Sequence, residues 1–245
     1  MTIQEFNNEF DIAYDSIAGA SAPGIDIYEK SLYLTKAQLE IVKNYYDSTS
    51  NRKQRGFEGS EKRRVDLRAL IKDYKSSASF TDPSAINSNS RFFNIPSDTF
   101  VIINEKVKVL SGQCLVNNII EIKPITHDEY NLEISNPFKN PDDSLVWRMD
   151  MSNIASNKVV EIISTLGQLE YQLRYLKYPK PIILADLSTT YPSETLTIDG
   201  LSTPSTSELN EEIHREILDR AVELALRDYK PEGLESKVQI DTRNE

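Results

Sequence analysis

Two short clusters carry the residue types that chemistry needs. His127-Asp-Glu129 puts an imidazole beside two carboxylates, the set used for acid–base work or for a metal. Glu211 and His214 have the Glu-x-x-His spacing of carboxylate-bridged metal sites. Each has a plainer reading. Thr126 and Glu129 form a capping box, in which the two side chains satisfy each other's backbone N–H groups, and Asp128 suits the positive end of a helix. A carboxylate-bridged site needs a second Glu-x-x-His helix, and the chain has two histidines in all. His214 is therefore read as a helix-surface residue. Cys114 has no histidine beside it and reads as a small buried hydrophobe. No G-x-S-x-G, P-loop or G-x-G-x-x-G run is present. No catalytic, cofactor or metal residue is assigned.

The strongest charge signal is Asn51-Arg-Lys-Gln-Arg-Gly-Phe-Glu-Gly-Ser-Glu-Lys-Arg-Arg64, with six basic residues against two acidic. It reads as a solvated loop and helix start, or as a contact to phosphate or an acidic surface. The segment from Glu208 onward is acidic. A basic loop and an acidic helix on one subunit can pair between identical neighbours in a head-to-tail ring. That reading makes Arg52, Arg55, Arg63 and Arg64 contact residues.

The elements that position these residues follow from periodicity. Ile3, Phe6, Phe10, Ala13, Tyr14 and Ile17 have helical spacing, with Thr2 and Glu5 as a capping box; the helix stops before Gly19. A second helix is expected from Thr35, capped by Gln38, and a third over about Glu61–Tyr74. Residues 76–98, rich in Ser, Asn and Pro, read as a long loop that meets a neighbour, with Phe80, Phe92 and Phe93 as apolar anchors.

Strands are expected at Phe100–Leu110, Asn118–Ile125, Val146–Met151, Lys158–Leu166 and Leu169–Leu184, with a short helix over His127–Ser135. Gly167-Gln168 reads as a two-residue hairpin turn, which makes the last three strands an antiparallel meander. Trp147 is expected in the core, and Arg148 pairs with a carboxylate the sequence does not name. Pro179 and Pro181 suit an edge or a strand end. Asp199-Gly200 marks a turn in the Ser/Thr-rich link.

A terminal helix from about Glu208 carries Leu209, Ile213, Ile217, Ala221, Leu224 and Ala225 on one face. Leu218, Val222 and Leu226 widen it, enough for contacts on more than one side. Pro231 and Gly233 end it, and a polar tail follows. The fold class is α+β: N-terminal helices, a central antiparallel sheet meander and a long C-terminal amphipathic helix. Its expected regions are 1–75 helical, 76–98 loop, 99–187 sheet and 188–245 linker, helix and tail, all in one structural unit.

Composition bounds the function. With 27% charged and 39% hydrophobic residues the chain is globular. No apolar run approaches the roughly 20 residues of a membrane helix, and the opening residues lack the pattern of a signal peptide. The net charge of -10 makes it a poor general binder of nucleic acid. Acidity would suit a surface past which DNA slides.

Five ordered blocks resemble a known family. They are Tyr33-Leu-Thr-Lys-Ala-Gln38; Gly56-Phe57 with Glu61-Lys-Arg63; Asn136-Pro-Phe-Lys139 with Trp147-Arg148; Arg174-Tyr175 with Pro179-Lys-Pro-Ile-Ile-Leu184; and His214-Arg-Glu-Ile-Leu218 with Arg220-Ala-Val-Glu-Leu-Ala225. Over residues 1 to 230 the chain resembles virion structural proteins of crAss-like bacteriophages, of the head–tail connector or tail ring type. The resemblance implies a non-enzymatic ring of twelve copies that stacks on the portal or an adjacent tail protein, with DNA in its lumen and no cofactor. Two rivals are a carboxylate-dependent hydrolase of the tail and a nucleic-acid-binding module using residues 52–64.

Overall fold

The computed structural model describes residues 1–18, 23–47, 57–111, 116–151, 154 and 157–229. Gly19, Arg52, Arg55, Cys114, Pro231, Gly233 and the tail lie outside them. The described residues group into two units: Met1–Leu70 with Pro179–Glu245, and Ile71–Tyr178.

In the first unit, helix α1 (Ile3–Ala18) opens on the expected box. The Thr2 N–H donates to Glu5 Oε2 at 2.7 Å, and the Glu5 N–H to Thr2 Oγ1 at 3.3 Å. Its buried face is Phe6, Phe10, Tyr14 and Ala18. Each buried aromatic there contributes about 1.5–3 kcal/mol. Helix α2 (Ile27–Tyr46) starts eight residues before the expected Thr35. Asp26 caps it, and the Asp26 N–H donates to Glu29 Oε2 at 3.3 Å. Thr35 and Gln38 thus lie mid-helix. Their polar groups bond the segment after Pro179: Thr35 Oγ1 accepts from the Ile182 N–H at 3.1 Å, and Gln38 Nε2 donates to the Lys180 carbonyl at 2.7 Å.

Helix α3 (Glu61–Asp66) is shorter than expected. A 3₁₀ turn (Arg68–Leu70) ends the helical stretch, and Ile71–Ser76 is a strand. Ile71 and Tyr74 sit three apart, a spacing that fits either element. Six paired positions with a neighbouring strand decide the matter.

Helix α6 (Glu211–Tyr229) packs on both α1 and α2, so its wide apolar face is consumed within the chain. Between α5 (Leu187–Thr190) and α6 the chain folds back, with Ile183 paired to Ser205. Asp199 and Gly200 make the expected turn with φ of 48° and 80°, the left-handed region that favours such residues.

The second unit is one curled sheet. Its strands are β1 (Ile71–Ser76), β2 (Ser79–Phe80), β3 (Ser90–Asn94), β4 (Thr99–Val109), β5 (Ile119–Pro124), β6 (Val146–Asp150), β7 (Val159–Ile163) and β8 (Leu169–Lys177). Helix α4 (His127–Glu133) joins β5 to β6 behind the expected Thr126–Glu129 box. The strand order is β1-β8-β4-β5-β6-β7-β3-β2, and every pair is antiparallel except β5–β6.

The α+β class therefore stands, with a mostly antiparallel sheet. Three details differ. β7 and β8 are not a hairpin: each pairs elsewhere, and the short link around Gly167 crosses between two parts of the sheet. β8 is interior and stops at Lys177, short of the expected Leu184, so Pro179 and Pro181 follow its end, in keeping with the strand-end reading and not the edge one. Residues 76–98 are not a free loop, because β3 pairs with β7 at five positions. The curl lets β7 and β8 share one core with β3, β4 and β5, built from Phe93, Val107, Ile122, Ile162, Tyr171 and Leu173 among others.

Candidate functional site

The two clusters with chemical potential resolve differently. His127 is exposed on α4, and Glu129 accepts the Thr126 N–H at 3.1 Å, as the cap reading requires. His214 is not a surface residue: only 4% of it is exposed. Its Nδ1 lies 2.7 Å from the Met1 nitrogen, its Nε2 3.1 Å from the Leu209 carbonyl, and its ring 5.4 Å from that of Phe6. Burial, and then the positive charge on the Met1 nitrogen, hold it below the usual histidine range. Nε2–H donates to Leu209 and Nδ1 accepts from Met1, so the imidazole is neutral and structural. Its helical position is an apolar-face position, a signal that its polarity masked. Among the described residues no three His, Cys, Asp or Glu side chains are gathered as metal ligands.

Arg148 finds its carboxylate in the sheet interior. Its Nε lies 3.3 Å from Glu105 Oε2, and the Tyr171 hydroxyl donates to Glu105 Oε1. Burial raises Glu105, and Arg148 opposes that rise. The same burial pushes the Tyr171 hydroxyl far up. A carboxyl group held by a guanidinium and a phenol inside a sheet ties β4, β6 and β8 together. Trp147 beside it is fully buried, edge-on to Tyr130 at 6.1 Å, and anchors the core.

The residues expected at subunit contacts fall into two groups. Phe92, Phe93, Leu218, Val222 and Leu226 are buried in their own unit. Phe93 meets Tyr171 at 5.5 Å, and half-buried Phe80 stacks on Phe92 at 5.6 Å. Their apolar surface is spent largely inside the subunit. Arg63 and Arg64 stay at the surface. Arg63 lies 5.2 Å above the Tyr45 ring, and Arg64 is exposed. Within the subunit, Lys62 of the basic segment meets Glu216 of α6 at 3.1 Å.

Other exposed features escaped the sequence reading. Ile12 is 70% exposed and lies off the apolar stripe of α1, which was a usable signal. Arg68 and Val65 are exposed beside Arg64. Phe138 is 96% exposed on the turn after α4. Its N–H donates to Asn136 Oδ1 at 3.0 Å, which fixes the turn. No helix of the described residues is long and apolar enough to cross a membrane.

An α+β chain whose His214, capping carboxylates and Glu105–Arg148 pair serve structure, and whose exposed residues include Ile12, Phe138 and Arg64, has the features of an assembly subunit. The chain belongs to the phage tail ring protein 3/4 family, whose pattern it matches over residues 1–236. It is 38% identical over 248 residues to ring protein 4/5 of Bacteroides phage crAss001, covering all of both chains. It is 33% identical over 228 residues to ring protein 3 of the same phage, covering 92% of this chain and 95% of the relative.

Proposed function

We propose that this chain forms a closed ring in the head-to-tail connector or tail of a phage particle, extends the portal and encloses the DNA channel. The observation that carries the reading is membership of a tail ring family over nearly the whole length. A cyclic ring uses two different, complementary faces of one subunit. Arg63 and Arg64 belong to one such face. Twelve copies would match the portal. The net charge of -10 supports a lumen that repels DNA and lets it slide. The subunit works by assembly, within the virion, and not by catalysis.

The test is the mass of the purified chain, alone and mixed with portal. Assembly into a fixed multiple is expected. A chain that stays monomeric and ignores every virion component overturns the proposal.

A further inference from the structure

A ring subunit needs a second face to meet the one that holds Arg64, and α1 supplies it. The face of α1 opposite Phe6 and Phe10 carries Glu5, Asn8, Ile12 and Asp15, with Glu9 at its margin. The helix contains no lysine or arginine. Glu9 and Asp15 have no ion pair among the described residues. Ile12, the apolar residue at the centre of this face, is 70% exposed.

The α3 corner has the opposite character. Arg64 and Arg68 are exposed, also without an ion pair among the described residues, and Val65 between them is 50% exposed. Glu61 is also exposed at the start of α3, so this corner sets two cations against one carboxylate around its apolar centre, whereas the charges around Ile12 are all acidic.

Their placement suits a head-to-tail contact. His214 faces α1 through Phe6, and Glu216 faces α3 through Lys62. Two residues along a helix turn by about 200°, so these side chains leave α6 on opposite sides. The acidic face of α1 points away from α6, because its buried face is the one that packs there. One subunit therefore presents acid on one flank and base on the other. A second copy in the same orientation brings the two flanks together.

Resting on the ring reading, we infer that the outer face of α1 (Glu9, Ile12, Asp15) docks on the α3 corner (Arg64, Val65, Arg68) of the next copy.

The experiment uses the full chain under the condition, alone or with portal, in which the wild type assembles. Glu9→Lys/Asp15→Lys and Arg64→Glu/Arg68→Glu should each weaken assembly by about tenfold or more, since each opposes like charges at the contact. The quadruple swap should restore it, because the pairs are recreated with reversed sign. Ile12→Lys, at an exposed site, should weaken assembly with an unchanged melting temperature. Variants that assemble normally, or a swap that fails to restore assembly, overturn this contact while the ring reading stands. A wild type that assembles under neither condition overturns the ring reading and the contact with it.

Discussion

The Met1 nitrogen and the Nδ1 atom of His214 lie 2.7 Å apart, so the start of α1 is fastened to the first turns of α6 by one buried imidazole. The histidine is neutral when folded, because burial and the charged Met1 nitrogen lower it from 6.5. The unfolded chain keeps the ordinary value and binds a proton that the folded chain refuses. Stability from this site is thus present above about pH 6.5 and is lost as pH falls below it toward the folded value. Thermal melts between pH 5 and 8 should show a fall on the acid side, and His214→Gln should flatten it. Equal pH profiles for the two proteins would contradict this account.

Glu105 is the hub of the buried network in the sheet. Glu105→Ala leaves the Arg148 guanidinium and the Tyr171 hydroxyl without their shared acceptor and should cost about 3–5 kcal/mol in urea unfolding. Adding Arg148→Met to that variant should recover part of the loss, because without Glu105 the guanidinium keeps only the exposed Asp150, at 3.3 Å, and a poorly paired buried cation costs more than an apolar replacement. A double variant weaker than Glu105→Ala alone would contradict this.

Thr35 tests the corrected reading of α2. Its hydroxyl accepts from the Ile182 N–H at 3.1 Å and donates to the Ile182 carbonyl at 3.3 Å. Thr35→Val keeps the shape and leaves that N–H and carbonyl without partners, so it should cost about 1–3 kcal/mol. A helix-capping role would predict a loss of helix, which circular dichroism should not show.

Gly167 sits where the backbone of Ser111 comes close. A Cβ at 167 would stand 2.0 Å from the Ser111 carbonyl oxygen, whereas one at Gly24 meets nothing within 4 Å. Gly167→Ala should destabilise by about 1–3 kcal/mol, and Gly24→Ala should not. Paired chemical denaturation measures both.

Local chemistry made much of this legible. The boxes at Thr2–Glu5 and Thr126–Glu129 are short-range hydrogen bonds, and they placed the starts of α1 and α4. The β6 strand and the burial of Trp147 followed from apolar pattern. Long-range pairing was not legible. Ser90–Asn94 looks like loop by composition and becomes a strand because β7 offers it five partners. The link at Gly167 resembles a hairpin turn, but the sheet's curl takes β7 and β8 to different neighbours. Of the residues expected at contacts, Arg64 is exposed, as its charge suggested. Phe92, Phe93 and Leu218 are apolar and buried, and apolarity alone does not distinguish a core from an interface.

The central claim is that this chain closes into a ring. Native mass measurement of the purified chain, alone and with portal, tests it most directly. The account predicts one assembled species of fixed copy number, twelve if it matches the portal. A chain that remains monomeric in both samples would contradict it.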